Sequence, residues 1–156
     1  MTTSDPLSDR YGLGPIDQIS FAVADVEEAA TRYSAIFGPF EVVAVPKMDI
    51  TWRGEPSTVT FKLGFGRSGG LEIELVQVVD GDSPAREHLE NHGEGFNHVR
   101  FPVASLKEVR SAMEREGWVT IFSGGSGVLS FAFLEPPSTL RSSIVELIQG
   151  LPANAV

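Results

Sequence analysis

Four polar residues stand inside apolar segments at matching places in the two halves of this chain of 156 residues. Gln18 and His98 lie near the start of each half, and Glu74 and Glu146 lie in the segment that closes each half. A carboxylate buried without a partner costs several kcal/mol, so acidic residues in such strands need a compensating group. A bound divalent cation would be one such group. A solvated strand face, or pairing with an arginine such as Arg100, is the other explanation.

The segments that hold Gln18 and His98 are copies of one pattern. Residues 16–26 align with residues 96–106 at a constant shift of 80 positions without a gap, and the apolar positions of one copy meet apolar positions of the other. Each copy runs into a predicted helix, with Asp25 and Ser105 as N-caps and Gly38 and Gly117 as the residues that stop the helices. Three strand-like runs follow each helix: 40–45, 58–65 and 71–78, then 118–122, 127–134 and 142–149.

The order βαβββ therefore occurs twice. We predict an α+β fold in which two βαβββ modules form a curved mixed sheet around a central cleft. The predicted divisions are a disordered leader over 1–14, a first module over 15–79, a linker helix within 80–94, a second module over 95–149 and a tail over 150–156.

Alternation along the strands predicts which side chains face the cleft. In a strand with one face against a helix, successive side chains point to opposite faces. Gln18 and Ser20 are therefore expected to face away from the helix that Ile19 contacts, and His98 and Arg100 do the same in the second copy. Glu72 and Glu74 share one face of their strand, so all these polar residues are expected to meet in the cleft.

Composition excludes several classes of function. The formal charge is −9, from 21 acidic and 12 basic residues, so the chain as a whole repels nucleic acid and anionic membranes. The absence of cysteine excludes thiolate catalysis and cysteine zinc sites. No apolar run is long enough for a transmembrane helix. These features indicate a cytoplasmic protein with a small-molecule substrate, which binds neither nucleic acid nor membrane.

The matched motifs resemble the vicinal oxygen chelate superfamily, which includes glyoxalase I, methylmalonyl-CoA epimerase, extradiol dioxygenases and bleomycin-resistance proteins. The resemblance covers about residues 15–149 and implies a glyoxalase-like fold. Its markers are Ile16-Asp17-Gln18-Ile19, Ile73-Glu74-Leu75, Gly95-Phe96-Asn97-His98-Val99 and Val145-Glu146-Leu147. Within the superfamily, residues 82–98 look similar to the linker of methylmalonyl-CoA epimerases.

The resemblance implies that Gln18, Glu74, His98 and Glu146 are metal ligands, and that the protein is a homodimer. Glutamine stands where the family has histidine, and its neutral amide oxygen is a weaker donor than imidazole. Three oxygen ligands and one imidazole favour Mn, Co, Mg, Ni or Fe(II) over Zn. Only one histidine lies at a ligand position, so the iron site of extradiol dioxygenases is not expected.

The implied function is a metal-dependent isomerase or lyase that stabilises an enolate during proton transfer next to a carbonyl, epimerase-like and with an acyl-CoA as one candidate substrate. The strand 58–65 has no acidic residue to match the family's catalytic glutamate. Glu72 is then a candidate base, although it could instead pair with Arg100. Arg100 is a candidate to hold a substrate carboxylate through two hydrogen bonds.

The alternative function is a non-catalytic protein of the same fold that binds a small molecule or an antibiotic. Such resistance proteins use an aromatic groove between paired subunits, and six aromatic residues are candidates to line one: Trp52, Phe61, Phe65, Trp118, Phe131 and Phe133. The negative charge would suit a cationic ligand. Aromatic residues on strands also fill ordinary cores, so this groove stays a hypothesis.

Overall fold

The computed structural model describes residues 7–138 and 144–152. The helices are α1 (Leu7–Tyr11), α2 (Val26–Phe37), α3 (Pro84–His92) and α4 (Leu106–Arg115). The strands of the first half are β1 (Gln18–Ala22), β2 (Glu41–Trp52), β3 (Glu55–Ser68) and β4 (Leu71–Gly81). The strands of the second half are β5 (Gly95–Pro102), β6 (Val119–Ser126), β7 (Leu129–Glu135) and β8 (Ile144–Gln149).

The strands form one closed barrel in the order β1-β4-β3-β2-β6-β7-β8-β5. Within each half the first strand is parallel to the last, and the other neighbours are antiparallel. The halves join through the antiparallel pairs β1–β5 and β2–β6. The predicted α+β fold of two βαβββ modules around a central cleft is confirmed, and the cleft is the interior of this barrel.

Two helices cover the outside of the barrel, one in each module. The Asp25 side chain caps α2 by accepting a hydrogen bond from the Glu28 amide at 2.8 Å, and α2 packs Val26 and Ala29 against Leu75. Ser105 caps α4 in the same way, and Met113 of α4 packs in the core cluster of the second module. The capping residues expected from sequence therefore start both helices. The predicted linker segment contains α3, which begins at its N-cap Ser83.

The leader differs from the expectation of disorder over 1–14. Residues 7–11 form α1, and Tyr11 is buried in the core of the second module. The Tyr11 hydroxyl donates a hydrogen bond of 2.7 Å to Glu116. One aromatic side chain with a partner for its hydroxyl is enough to anchor a short helix. Residues 1–6 of the leader and 153–156 of the tail lie outside the described residues, as do residues 142–143 of the predicted last strand.

The polar face of β1 is buried inside the barrel. Gln18 and Ser20 are fully buried, whereas the alternate residues Ile19 and Phe21 are only half-buried, and Phe21 packs against Tyr33 of α2. The alternation predicted from sequence thus places the polar set in the interior. In the described ranges, no helix has both the length and the apolar character that crossing a membrane requires.

Candidate active site

The barrel encloses a central cavity of about 440 Å³ with two unlike sides. One side carries five ionisable residues of β4, β5 and β8, which are called here the polar wall: Glu72, Glu74, His98, Arg100 and Glu146. The other side, the apolar wall, is made by nine residues of β2, β3, β6 and β7: Val45, Met48, Phe61, Leu63, Phe65, Phe122, Leu129, Phe131 and Phe133. A concave apolar site with a few convergent polar groups is the usual form of a small-molecule site.

The strand register places the four predicted ligands in two neighbouring rows. Glu72, Gln18, Arg100 and Glu146 are successive cross-strand partners along β4, β1, β5 and β8. In the next row, Ser20 lies between Glu74 and His98. Inward-facing residues two apart on a strand are about 7 Å apart. Gln18 and Glu146 thus belong to one row, and Glu74 and His98 to the other.

The His98 side chain lies close to two of the other predicted ligands. His98 Nε2 lies 3.2 Å from Glu146 Oε2 and 3.9 Å from Glu74 Oε2, although neither contact has hydrogen-bond geometry. Ser20 Oγ, on the neighbouring strand β1, donates a hydrogen bond of 2.7 Å to Glu74 Oε2 and so orients that carboxylate. The imidazole nitrogen therefore lies between two buried carboxylates.

Gln18 contacts a different residue of the polar wall. Its amide nitrogen donates to Glu72 Oε1 at 2.8 Å, which leaves its amide oxygen without a partner. Among the described residues, the buried side-chain atoms that lack a hydrogen-bond partner are this Oε1 and His98 Nε2. A buried polar atom without a partner costs about 1–3 kcal/mol, so its presence needs an explanation.

The buried partner of Arg100 is Asp17. Arg100 Nε and Nη2 donate to the two oxygens of Asp17 at 2.9 and 3.0 Å, and Nη2 lies 3.4 Å from Glu72 Oε1. The sequence had suggested that Arg100 would grip a substrate carboxylate through two hydrogen bonds. Those two nitrogens already make this bidentate contact within the protein. The other alternative, a contact between Arg100 and Glu72, is present.

A neighbour fixes the orientation of the His98 ring. Asn97 Nδ2 donates to the Pro84 carbonyl at 3.3 Å, so its Oδ1 faces His98 Nδ1, at 2.9 Å. An oxygen there requires a proton on Nδ1, which leaves the Nε2 lone pair directed into the cavity when the ring is neutral. Phe133 packs edge-on against the ring, with 4.6 Å between centroids.

Burial controls the electrostatics of the polar wall. Loss of hydration raises the pKa of Glu74, and the nearby Glu146 raises it further, while His98 and the Ser20 hydrogen bond oppose the shift. For Arg100, burial works against the charged form, but the Asp17 hydrogen bonds and the surrounding carboxylates outweigh it and raise its pKa. Arg100 therefore stays charged. A cation near Glu74 would stabilise the ionised form of its carboxylate.

The donor set of the predicted ligands fits a divalent metal ion. The two unpartnered buried atoms, an amide oxygen and an imidazole nitrogen, are both ligand atoms for such an ion, and two carboxylates lie near the nitrogen. In the described part of the chain, no three His, Asp or Glu side chains already converge on one point. Suitable ligand atoms are thus present. Their side chains would have to rotate to bind one ion together.

Sequence reasoning missed the roles of three residues. Asp17 and Asn97 lie beside predicted ligands in the quoted motifs, yet their roles depend on partners in other segments, Arg100 and Pro84. Ser20 was placed on the correct face without a role. Among the aromatic residues proposed for a groove, Trp118 packs in the core cluster under α4 and Trp52 packs beside Phe122 outside the cavity lining.

Comparison with known proteins supports the fold. The chain is 25% identical over 141 residues to the uncharacterized protein YqjC of Bacillus subtilis, covering 86% of this chain and 91% of that protein. The structure of methylmalonyl-CoA epimerase from Mycobacterium tuberculosis is 18% identical, with a TM-score of 0.60 and 90% of each chain covered. A Streptomyces coelicolor methylmalonyl-CoA epimerase variant in complex with 2-nitronate-propionyl-CoA is 22% identical, with a TM-score of 0.63, and the match covers 92% of this chain and 97% of that one.

These structural matches establish the fold alone, because the identities are low. The family is established separately. The model of the Glyoxalase/Bleomycin resistance protein/Dioxygenase superfamily matches residues 17–133, three quarters of the sequence, and the resemblance inferred from the motifs is thereby confirmed. The chain belongs to the Glyoxalase/Bleomycin resistance protein/Dioxygenase superfamily.

Proposed function

We propose that the protein is a metal-dependent isomerase or lyase that transfers a proton at the carbon next to a substrate carbonyl. The observation that carries the proposal is the pair of buried, unpartnered ligand atoms, Gln18 Oε1 and His98 Nε2, beside the carboxylates of the polar wall. The epimerases among the structural neighbours support this reaction class, with acyl-CoA as one candidate substrate.

The proposed metal ligands are Gln18, Glu74, His98 and Glu146, with Mn, Co, Mg, Ni or Fe(II) as the ion in preference to Zn. A divalent ion held there would polarise a carbonyl oxygen and stabilise the negative charge that develops as the neighbouring proton leaves. The protein contributes the orientation of these ligands: Ser20 holds Glu74, and Asn97 holds His98 with its Nε2 lone pair free.

Glu72 is the proposed proton acceptor. Its side chain lines the cavity and is 24% exposed, so a substrate can reach it. Gln18 and Arg100 hold its Oε1, which fixes the direction of the carboxylate. The cavity-lining residues of β2 and β3 are all apolar, so the base of this reaction must come from the polar wall. Arg100 orients Glu72 in this scheme and is a positioning residue.

Metal binding tests the first half of the proposal. Calorimetric titration with Mn or Co should show one ion per chain, and Glu146→Gln and Glu74→Gln should each weaken its affinity at least about 10-fold. Glu90→Gln, an exposed substitution on α3, is the matched control and should bind as the parent does. Equal affinity in all four proteins would show that the ion binds elsewhere.

Proton exchange tests the second half. The metal-loaded protein in deuterated buffer should exchange the proton next to the carbonyl of an acyl thioester or an α-hydroxyketone, followed by proton NMR. Glu72→Gln should slow this exchange by about 100-fold or more, the usual contribution of a general base. Exchange that is equally fast in Glu72→Gln would exclude it as the base.

A non-catalytic binding protein is the second candidate, and the apolar wall favours it. All nine cavity residues of β2, β3, β6 and β7 are apolar, so that half of the cavity supplies contact surface and no acid or base. A metal-free protein that binds an apolar ligand and exchanges no proton in the assay above would support this function over the enzyme.

A further inference from the structure

The polar wall carries an excess of negative charge. Glu72, Glu74 and Glu146 of the wall provide three carboxylates, Asp17 behind the wall provides a fourth through its contact with Arg100, and Arg100 provides one guanidinium. With His98 neutral the formal charge is −3, and a bound divalent ion brings it only to −1. If Glu74 is protonated in the metal-free protein, the formal charge of this group of residues is still negative. Because charges interact strongly where water is excluded, these side chains repel a substrate anion in the metal-free protein, and their excess of negative charge persists when the ion is bound.

Arg100 does not offset this repulsion. It is the one arginine or lysine among the described residues that line the cavity, and its Nε and Nη2 already bind Asp17. Replacing Asp17 by a substrate carboxylate would leave Asp17 buried and unpaired, which is strongly unfavourable. Among the described side chains that line the cavity, none is therefore free to receive a carboxylate or phosphate.

The apolar wall complements a hydrocarbon group, aromatic rings above all. Phe122, Phe131 and Phe133 contact one another with ring centroids 5.3–6.0 Å apart, and Phe61 lies 6.5 Å from Phe122. Such a set of tilted and edge-on rings can accept a further ring from a ligand. A cavity of about 440 Å³ has room for a ring with its substituents.

We propose that the part of the substrate inside the cavity is uncharged and mainly apolar: an aryl or branched alkyl group joined to the carbonyl next to which the proton is transferred. An α-hydroxyketone, or the acyl end of an uncharged acyl thioester, has this form, whereas a carboxylate-bearing acyl group does not. The apolar group packs against the phenylalanines and the carbonyl oxygen faces the polar wall. This inference rests on the proposed function and specifies its substrate class, with Glu72 as a determinant of specificity.

Three small ketones separate charge from apolar contact. 2-Hydroxyacetophenone carries a phenyl ring and two neighbouring oxygens, benzoylformate has the same ring with a carboxylate, and hydroxyacetone lacks the ring. Binding to the full chain is measured by calorimetry without metal, because benzoylformate would chelate Mn directly whatever the charge of the wall. 2-Hydroxyacetophenone should bind at least about 10-fold more tightly than benzoylformate, and at least about 10-fold more tightly than hydroxyacetone because the ring is buried.

Glu72→Gln tests the source of the discrimination. It removes one negative charge from the polar wall, so the preference for 2-hydroxyacetophenone over benzoylformate should shrink about 10-fold. Glu90→Gln changes the net charge equally but far from the cavity, and it should leave the preference unchanged. Circular dichroism of both variants confirms that they are folded.

Two outcomes overturn the inference: benzoylformate binding as tightly as 2-hydroxyacetophenone, and no binding of 2-hydroxyacetophenone up to its solubility limit. Other outcomes test the proposed reaction independently of the proposed substrate class. Binding of the uncharged ketone without proton exchange removes the isomerase and leaves the ligand class standing. Exchange confined to carboxylate-bearing substrates leaves the isomerase and removes the ligand class.

Discussion

Asn97 Oδ1 lies 2.9 Å from His98 Nδ1, and the Asn97 amide is held in that orientation by its bond to the Pro84 carbonyl. The contact joins adjacent residues of β5, of which Asn97 bonds to α3 and His98 lies beside the carboxylates of Glu74 and Glu146. It links the first turn of α3 to the tautomer of the candidate ligand. Residues that hydrogen-bond to the free nitrogen of a ligating histidine commonly set its affinity for a metal.

We predict that Asn97→Leu removes this control with little change in volume. The Nδ1 proton loses its acceptor, so His98 should populate both neutral tautomers and Mn affinity should fall about 10-fold or more. Nitrogen-15 NMR of the imidazole reports the tautomer directly, with His88→Gln and His92→Gln used to assign the signals. Asn91→Leu on the exposed side of α3 is the control. An unchanged His98 spectrum in Asn97→Leu would refute the role of Asn97.

Local patterns predicted much of the fold. Alternation in β1 is a property of any strand, so the face that carries Gln18 and Ser20 could be derived from that segment alone. The repeat supplied the same derivation for His98 and Arg100. The caps Asp25 and Ser105 were equally local, because an N-cap bonds an amide only three residues away.

Register and long-range pairing could not be predicted. That Gln18 lies opposite Glu72 and Arg100 follows from pairings between segments 54 and 82 residues apart, which no local pattern encodes. The bond between Asp17 and Arg100 spans 83 residues in the same way. Closure of the barrel through β2 and β6 depends on two strand edges meeting, and so does the separation of an apolar from a polar wall.

Gly81 should be sensitive to the smallest substitution. It ends β4 with a φ of +88°, and a Cβ there would lie 2.0 Å from the Thr58 carbonyl oxygen on the neighbouring strand. Gly81→Ala should lower the free energy of unfolding by at least about 2 kcal/mol, because the backbone conformation and the clash both oppose it. Gly70→Ala has open space and should stay within about 0.5 kcal/mol of the parent. Urea denaturation measures both, and equal midpoints would contradict the prediction.

His88 should make stability depend on pH near neutrality. Partial burial in α3 lowers its pKa, and repulsion from His92 adds to the shift. The unfolded chain then binds more protons than the folded one as pH falls through about 6.5, so stability present above that pH is lost below it. His88→Gln should show a smaller loss of stability between pH 8 and 5 than the parent. Denaturation midpoints across this range give the comparison.

His92→Gln is the matched variant for that experiment. It removes the repulsion but not the burial of His88, and burial is the larger cause of the lowered pKa. Its pH dependence should therefore lie between those of the parent and His88→Gln. Other titrating groups are common to the three proteins and cancel in the differences. A His88→Gln profile as steep as that of the parent would show that His88 titrates normally in the folded chain.

Removal of Arg100 should destabilise the protein more than removal of Asp17. Arg100 has several carboxylates nearby, whereas Arg100 is the one cation that contacts Asp17 in the described part of the chain. Arg100→Met leaves Asp17 buried and unpaired and removes the cation beside Glu72, so it should cost about 3–5 kcal/mol in the metal-free protein. Asp17→Asn leaves Arg100 with Glu72 at 3.4 Å and the charge of Glu146 and Glu74, so about 1–2 kcal/mol is expected.

The control for this pair is Arg53→Met, which breaks contacts of 2.6 and 3.0 Å with Glu87 and Glu135. The side chains there are 37–41% exposed, so less than about 1 kcal/mol should be lost. Urea denaturation orders the three variants. If Asp17→Asn destabilised the protein as much as Arg100→Met, Arg100 would not be stabilised by the carboxylates of the polar wall. The net negative charge assigned to the cavity would then have to be smaller. If Arg100 stabilises several buried carboxylates, the loss of stability should instead be largest for Arg100→Met, smaller for Asp17→Asn and smallest for Arg53→Met.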